Sequence, residues 1–511
     1  MTDTTTKAVV GRHQWIGLLV LALPGLLVTM DLTVLFLAVP SLTADLAPTS
    51  TELLWITDVY GFLIAGALIV SGALGDRLGR RRIMLLGGAG FAAASLLASA
   101  ASSPEMLIAA RALQGVAGAA LLPSMMALVF GMFPDPKART AAMGVMMGTF
   151  ALGAALGPLL GGGLLELFDW RAVFVPNVPV MLGLLLLAPR FVPELRNPAA
   201  GRVDVRSAAL SVAGVLGIVY GVKHGARHGV SPADAAVVAG GLAALALFTR
   251  RQLALEDPLV DVRLFVRPAF RTAMAATTIG MFVIYGTFFF TAQHLQLVSG
   301  LSPLEAGLWG LPPVAVMMVV AGGLLPRLAT RVRPANLVAG GMVVASVGLL
   351  LLTRLEPDSS VAQLVLATTL MVAGLAPTTT MGVNLIVGAA PPEQAGSVSG
   401  LGQAGNELGG ALGIALLGTL GTAVYRDDMH GVAGGAPGDT LGGAVSLGGQ
   451  LPAGVLDAAG DAFAHGMHVA AAVAVVLLAA TSALVAVSLR TLPAADAPAA
   501  EPAPDLAPAR A

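Results

Sequence analysis

The sequence predicts an all-α polytopic membrane protein with two six-helix bundles and two inserted helices, fourteen transmembrane helices in all. Its 511 residues are 56% apolar and only 11% charged, with no cysteine, whereas a soluble domain carries about 25% charged residues. Fourteen apolar segments are long enough to span a bilayer, and basic residues alternate in number between successive loops. The high apolar and low charged content excludes a soluble globular protein. The lack of cysteine excludes thiolate chemistry. The net charge of −1 gives no basic field for nucleic acid.

The spans follow from the requirement for about 20 apolar residues per membrane-crossing helix. They are predicted at 15–37, 52–73, 83–101, 104–130, 141–165, 171–189, 204–222, 234–249, 269–297, 304–325, 335–353, 361–388, 396–422 and 463–489. The first is too long for a signal peptide and lacks a cleavage site, so we expect it to remain as a helix.

Basic residues predict the orientation of these spans. Of the 28 Lys and Arg residues, 22 fall on the side of both termini, five on the other side and one, Arg111, inside a span. Because basic loops stay in the cytoplasm, both termini are predicted to be cytoplasmic. The excess of Ala, Gly and Arg is typical of a GC-rich bacterium, so we expect the chain in a bacterial inner or plasma membrane.

A repeated Gly–Arg spacing indicates how the spans are grouped. Gly322 precedes Arg327 by five residues after the tenth span, as Gly72 precedes Arg77 after the second. If the seventh and eighth spans are an insertion, the rest forms two parallel six-helix repeats, typical of secondary transporters; coincidence in Arg/Gly-rich loops is the alternative. The predicted divisions are a cytoplasmic leader 1–14, an N-terminal bundle 15–190, inserted helices with cytoplasmic flanks 191–268, a C-terminal bundle 269–490 with an external loop 423–462, and a disordered cytoplasmic tail 491–511.

Apart from histidines and residues in the first three positions of a span, four ionisable residues fall inside spans: Asp31, Asp58, Arg111 and Glu407. Each is costly in hydrocarbon and is therefore a candidate functional group. At about 1.5 Å per residue the first three lie about 9–11 Å below the outer boundary and can meet at one level. Because two acids cannot share one arginine equivalently, we expect Asp31 and Arg111 to form the proton-coupling pair and Asp58 to accept a cation or proton. A purely structural ion pair is the alternative.

Glu407 is predicted to lie near the midplane, about 16 Å from the inner boundary. Gln403 precedes it by one turn, and Gly400 and Gly410 share its face, so this face is expected to look into a cavity. A desolvated carboxyl with no cation in its span can exchange a proton for an organic cation. We expect Glu407 to couple protons and, with Gln403, to contact substrate. The alternative is a neutral glutamic acid hydrogen-bonded between helices.

Aromatic side chains near these charges offer cation–π faces to a lipophilic cation. The candidates are Trp55, Tyr60, Phe282 and Tyr285. Packing or lipid-facing roles are the alternative for the two residues of the ninth span. Three histidines near span ends are expected to be interfacial rather than proton relays: His294, His465 and His468.

Several motifs resemble those of a known family. The loop after the second span reads Gly72-Ala-Leu-Gly-Asp76-Arg77-Leu-Gly79-Arg80-Arg81-Arg82, the fourth span contains Arg111-Ala-Leu-Gln114-Gly115, and the fifth contains Gly153-Ala-Ala-Leu-Gly157-Pro158-Leu-Leu-Gly161-Gly162. They are similar to the G-x-x-x-D-R-x-G-R-R loop, the R-x-x-Q-G motif and the antiporter motif of the fourteen-helix drug:proton antiporters of the major facilitator superfamily. Thr29-Met-Asp31 and Trp55-Ile-Thr-Asp58-Val-Tyr60 resemble the quaternary-ammonium exporters among them. Phe36 departs from the Asn of many relatives, and the tenth span has no acid beyond Glu305 at its edge.

The resemblance implies two gating elements. In the loop they are Gly72, Asp76, Arg77, Gly79 and Arg80, and in the fifth span Gly153, Gly157, Pro158 and Gly161. The loop residues are expected to hold the inner gate, with membrane topology alone as the alternative. The fifth-span residues allow close approach and a bend, as a seal and hinge would require, with close packing alone as the alternative.

Absent motifs narrow the function. No Gly-Lys dipeptide occurs, so no P-loop forms, and neither His-Glu-x-x-His nor Gly-x-Ser-x-Gly is present, so we expect no enzyme, cofactor or metal. We expect a monomeric proton-coupled antiporter that exports lipophilic cationic drugs or toxic organic compounds from the cytoplasm by alternating access. The alternatives are a dedicated exporter of an endogenous natural product and, in another class, a non-transporting membrane sensor or scaffold. The fifth-span motif disfavours an uptake symporter.

Overall fold

The computed structural model describes residues 11–48, 50–196, 204–228, 231–255, 258, 262–388 and 395–488. Within these ranges the chain is helical and contains no strand. The long helices are α1 Arg12–Leu46, α2 Ser50–Leu78, α3 Arg80–Ser99, α4 Pro104–Met132, α5 Pro136–Leu167, α6 Asn177–Phe191, α7 Val205–His228, α8 Pro232–Ala254, α9 Pro268–Gln293, α10 Pro303–Ala329, α11 Pro334–Leu352, α12 Val361–Gly388, α13 Ala395–Met429 and α14 Val455–Ser488. Most of the predicted leader and the predicted tail lie outside the described residues.

Each predicted span falls on one of these helices, which confirms an all-helical multi-pass fold. In the described part of the chain, 11 helices are long and apolar enough to cross a membrane. The spans predicted at 52–73, 141–165 and 204–222 fall on α2, α5 and α7, where only shorter apolar stretches were found. The exact count of fourteen therefore stays a prediction.

Helices α1 to α6 form one bundle. Helix α1 packs on α5 and α6, α2 packs on α4, and α3 packs on α4 and α6. Small residues set these approaches: a Cβ on Gly115 of α4 would lie 2.6 Å from the carbonyl oxygen of Tyr60 on α2. Glycines at helix contacts of this kind are typical of membrane bundles.

Helices α9 to α14 form the second bundle. Helix α9 packs on α12, α13 and α14, and α11 packs on α12 and α14. Along α13, the glycines Gly405, Gly409 and Gly413 recur every four residues and face Met274, Thr278 and Phe282 of α9. This spacing places all three on one helix face, so α9 and α13 approach closely along it.

The two bundles meet in a reciprocal way. The second helix of each packs on the fifth helix of the other, α2 on α13 and α10 on α5. The six-helix repeat itself stays a prediction. We call the side with the start of α1 and the end of α6 the terminal face, and the side with the end of α5 and the start of α10 the opposite face. Contacts between α5 and α10 are concentrated at Pro303–Trp309, near the opposite face, and thin out along Leu311–Val319.

The inserted helices α7 and α8 form a tight hairpin. Glycines on both sides allow this, since a Cβ on Gly241 would lie 2.8 Å from the carbonyl oxygen of Gly214. At one end Arg251 Nε donates to Asp204 Oδ2 at 2.5 Å, and at the other His224 Nδ1 lies 2.7 Å from Asp234 Oδ1. Helix α7 contacts both α2 and α13, so the hairpin covers the seam between the bundles there.

The segment predicted as an external loop at 423–462 begins and ends as helix. Helix α13 continues to Met429, and two short helices, Ala436–Asp439 and Leu441–Leu447, precede α14. Tyr425 donates its hydroxyl to the carbonyl oxygen of Pro437 at 2.7 Å. Leu441 is buried in the core of the second bundle. The segment therefore packs on the second bundle, where its apolar side chains are buried.

Candidate functional site

The predicted pair of Asp31 and Arg111 is present in the structure. Asp31 of α1 and Arg111 of α4 are 5% and 1% exposed, and Arg111 Nη1 donates to Asp31 Oδ2. Both groups therefore lie in the interior of the first bundle, where an unpaired charge would be costly. Their role in proton coupling stays a prediction.

Uncharged polar side chains surround this pair. Asn177, the first residue of α6, donates from Nδ2 to Asp31 Oδ1 at 3.2 Å and to Ser95 Oγ at 3.3 Å. Gln114 Nε2 also donates to Ser95 Oγ, at 2.9 Å, and Gln114 Oε1 accepts from Arg111 Nη1 at 3.1 Å. The network joins α1, α3, α4 and α6. Sequence reasoning missed Asn177 and Ser95, because it searched the spans only for charge.

Tyr60 and Trp55, which flank Asp58 in the sequence, lie in different environments in the structure. Tyr60 is fully buried, its ring lies 4.3 Å from the guanidinium carbon of Arg111, and its hydroxyl donates to the carbonyl oxygen of Val28 at 3.2 Å. Trp55 instead stacks on Tyr220 of α7, with ring centroids 6.1 Å apart. The side chain of Asp58 lies outside the described part of the chain. Tyr60 thus supports Arg111 and Trp55 faces the inserted hairpin; their contact with substrate stays a prediction.

Glu407 lies on α13, the helix of the second bundle that packs on α2 of the first. Ala404 packs with the core of the first bundle, and Ala411 packs with Phe62 of α2. On the other side, Gly409 approaches the backbone of α9. Glu407 falls between these two contact faces on the helical wheel and is partly exposed, and its Oε1 accepts from Gln403 Nε2 at 2.8 Å.

Tyr285 of α9 lies beside this carboxyl. A Cβ on Gly410 would lie 3.0 Å from Tyr285 Cδ2, and Glu407 contributes to the electrostatic environments of both Tyr285 and Tyr60. Phe282 is half-buried against the core of the second bundle. The structure therefore brings Glu407, Gln403 and Tyr285 together, across the bundle interface from Tyr60.

The predicted gating loop, residues 72–82, is docked on the segment that follows α6. Gly79 has φ +113°, and a Cβ there would lie 2.5 Å from Glu194 Oε1. Arg81 donates its backbone N–H to the same oxygen at 3.0 Å, and buried Arg80 donates its backbone N–H to the carbonyl oxygen of Leu195 at 2.8 Å.

The remaining loop positions are more open. Space surrounds Gly72, and Arg77 is exposed. The side chain of Asp76 lies outside the described part. In this conformation the loop thus binds its own bundle, and its gating role stays a prediction.

The glycines of α5 face two different helices. A Cβ on Gly153 would collide with the carbonyl oxygen of Leu26 in α1, and one on Gly161 would lie 2.7 Å from Val34 Cγ1. The next residue, Gly162, faces α10, where a Cβ would lie 2.7 Å from Leu304 Cα.

The predicted gating set does not include Gly162, although this glycine lies at the contact between α5 and α10, where the two bundles meet. Gly157 is buried, and the side chain of Pro158 lies outside the described part.

The three histidines have separate environments. His294 is 1% exposed at the π-helical turn that ends α9, so burial replaces the expected interfacial position. His468 Nε2 lies 2.7 Å from the carbonyl oxygen of Leu355, and His465 Nδ1 lies 2.7 Å from Asp428 Oδ2. Among the described residues, no group of three His, Asp or Glu side chains is placed to hold a metal ion.

The sequence model of the Major Facilitator Superfamily, a protein family, matches residues 21–414 of the chain. The chain belongs to this superfamily. Membership makes it a multi-pass transport protein rather than an enzyme. Among solved structures, the chain is similar to a bacterial homologue of the human lysosomal transporter Spinster in an inward-facing, unoccupied conformation. The TM-score is 0.67 at 20% identity, with 94% of this chain and 97% of that chain covered, which supports the fold.

Relatives of this major facilitator protein include drug efflux and resistance proteins. It is 42% identical over 499 residues to the multidrug efflux pump LfrA of Mycolicibacterium smegmatis, covering 96% of this chain and 98% of the relative. It is 32% identical to the methyl viologen resistance protein SmvA of Salmonella typhimurium, covering 92% and 97%. It is 33% identical to the puromycin resistance protein pur8 of Streptomyces alboniger, covering 94% and 92%.

Proposed function

We propose that this protein is a proton-coupled antiporter that exports lipophilic cationic drugs from the cytoplasm by alternating access. The observation that carries the proposal is the placement of its charges. Asp31 and Arg111 are paired inside the first bundle, and the partly exposed Glu407 lies on α13, the helix that packs on α2 of the first bundle. The relatives named for multidrug efflux and for resistance to methyl viologen, an organic cation, support the choice of substrate class.

The bundle contacts support access from the terminal face, which the distribution of basic residues predicts to be cytoplasmic. Contacts between α5 and α10 are concentrated near the opposite face, so the bundles can separate on the terminal face. A cationic drug that enters there displaces the proton of Glu407 and is held by the resulting carboxylate. Rocking of the bundles then exposes the drug to the outside, where a proton replaces it and resets the cycle.

Charge balance sets the energy available for export. Moving one elementary charge across the membrane is worth about 2.3 kcal/mol per 100 mV. Exchange of one proton for one monovalent cation is electroneutral and uses the pH difference alone, whereas two protons per drug also use the membrane potential. The three acids Asp31, Asp58 and Glu407 allow either stoichiometry.

A drug-susceptibility panel in an efflux-deficient host tests this function. Expression of the wild type should raise the inhibitory concentrations of several lipophilic cations, and Asp31→Asn and Glu407→Gln should each abolish the increase. The matched control is Glu356→Gln, which neutralises an exposed acid outside the helices and should leave resistance intact. Full resistance in Glu407→Gln would exclude this carboxyl from the exchange.

A dedicated exporter of one natural product is the second candidate. The puromycin resistance relative from Streptomyces alboniger favours it. The same panel separates the two candidates, because a dedicated exporter protects against one compound or one chemical family rather than against unrelated lipophilic cations.

A further inference from the structure

The side-chain amide of Asn177 is fully buried, and among the described residues only its nitrogen makes hydrogen bonds. Its Nδ2 donates two hydrogen bonds, to Asp31 Oδ1 at 3.2 Å and to Ser95 Oγ at 3.3 Å. Its Oδ1 is buried and, among the described residues, accepts none. Buried acceptors without a donor are rare in folded proteins, and each calls for an explanation.

Ser95 is the complementary case, because its oxygen is bonded while its hydroxyl hydrogen is unused within the described part of the chain. Its Oγ accepts from Asn177 Nδ2 and, at 2.9 Å, from Gln114 Nε2, but within the described part of the chain its hydroxyl hydrogen has no acceptor. A serine hydroxyl rotates freely to suit its partners. Asn177, whose acceptor is unused, therefore lies between the unused hydroxyl donor of Ser95 and the carboxylate of Asp31.

The two oxygens of Asp31 are divided between two partners. Oδ2 accepts from Arg111, and Oδ1 accepts from Asn177, so a proton can bind Oδ1 while Arg111 stays on Oδ2. With Nδ2 in its present position, that proton would face an N–H donor. A half-turn of the amide about its Cβ–Cγ bond exchanges Oδ1 and Nδ2. Oδ1 then accepts from the protonated carboxyl and from the hydroxyl of Ser95.

We infer that Asn177 is a positioning residue that follows the protonation of Asp31, with Nδ2 toward the carboxylate and Oδ1 toward the carboxylic acid. Two hydrogen bonds are made at this site in either state, so the bundle can change charge without losing its local packing. The inference rests on the proposed function in one respect, namely that Asp31 takes up a proton during the cycle and releases it afterwards.

Few charged or titratable groups face Asp31. Arg111 reaches it from α4, and Tyr60 of α2 covers Arg111, with Glu407 of α13 beyond Tyr60. Among the described side chains, α3 and α6 present uncharged groups to this site, and α5 approaches α1 through glycines. The side chain of Asp58 lies outside the described residues. Within the described part of the chain, Arg111 and Asn177 are thus the groups that bond the carboxylate directly.

Infrared difference spectroscopy of the full-length protein in liposomes, cycled between high and low pH, tests the inference without any drug. The band of the protonated Asp31 carboxyl is assigned by its loss in Asp31→Asn. We expect one asparagine side-chain amide band to shift with it, and this shift should disappear in Asn177→Leu. Asn406→Leu is the matched control, since Asn406 Oδ1 is also buried without a partner; the shift should persist there.

A second variant tests whether the amide itself is required. Asn177→Asp has the same shape but, once ionised, cannot donate to the carboxylate of Asp31. The amide band should therefore be lost, and the frequency of the protonated Asp31 carboxyl band should change because its partner is no longer an amide. An amide shift that persists in Asn177→Leu, an unchanged frequency of the Asp31 band in Asn177→Asp, or a wild type with no Asp31 band would each overturn the inference. Loss of drug-driven proton exchange with the infrared signature intact would instead overturn the proposed function alone.

Discussion

The contact between α5 and α10 on the opposite face yields a quantitative prediction for Gly162→Ala. The added Cβ would lie 2.7 Å from Leu304 Cα and 2.8 Å from the carbonyl oxygen of Pro303. Both are backbone atoms, so no side-chain rotation relieves the overlap. An ordinary carbon contact of about 3.5–4.0 Å requires the helices to move apart by about 1 Å.

The cost of this overlap falls on the conformation in which the opposite face is closed. Overpacking of one methyl group costs about 1–3 kcal/mol, which corresponds to a change of about 5- to 150-fold in the ratio of two conformations. We therefore expect Gly162→Ala to shift the population toward separation of the bundles on this face.

The absence of cysteine allows spin labels to be attached at new cysteines without altering native ones. Leu167 and Val432 are 77% and 46% exposed on the opposite face, one in each bundle, and pulsed electron paramagnetic resonance measures the distance between labels there. The control is Gly163→Ala, since a Cβ on Gly163 meets nothing within 4 Å. Longer distances in Gly162→Ala alone are expected. Identical distance distributions in the two variants would refute the role of this contact as a seal.

Two further predictions concern stability. Gly79→Ala places a methyl at φ +113° and 2.5 Å from Glu194 Oε1, so the unfolding free energy should fall by about 1–3 kcal/mol; Gly72→Ala, in open space, is the control, and equal melting temperatures would contradict the expectation. Asp45 lies at the end of α1, beyond its predicted span. Hydrogen bonds from Trp170 and, to a smaller extent, from the guanidinium of Arg171 lower the pKa of Asp45. Because the folded-state pKa is depressed, this stabilisation is present above the unfolded value of about 3.9 and is lost as the pH falls through the folded value. Asp45→Ala should therefore lower the melting temperature at neutral pH, and this difference should shrink below about pH 4; a difference independent of pH would contradict the assignment.

Hydropathy and loop charge were sufficient to predict the fold class. Each predicted span falls on a helix, because about 20 apolar residues have no other stable conformation in lipid. The boundaries were less predictable. Helix α13 extends to Met429, well past the predicted end of its span at 422, because a helix continues into water where tertiary contacts such as that of Tyr425 with Pro437 hold it.

Counting helical rise brought Asp31 and Arg111 to one level, and the structure pairs them. The surroundings of the pair were not predictable in this way. Asn177 and Ser95 carry no charge, so neither is marked as expensive in an apolar span, and only the packing of α3 and α6 against α1 brings them to Asp31. The direction of Trp55 toward Tyr220 likewise depends on where the inserted hairpin packs, which helical periodicity does not encode.

Drug-driven proton movement in everted membrane vesicles tests the central claim most directly. With the vesicle interior acidified and a pH-sensitive dye inside, addition of a lipophilic cation should release protons from vesicles that contain the wild-type protein. Vesicles with Glu407→Gln, present at equal amounts in the membrane, should release none. Undiminished proton release from the Glu407→Gln vesicles would contradict the exchange of drug for proton at this carboxyl.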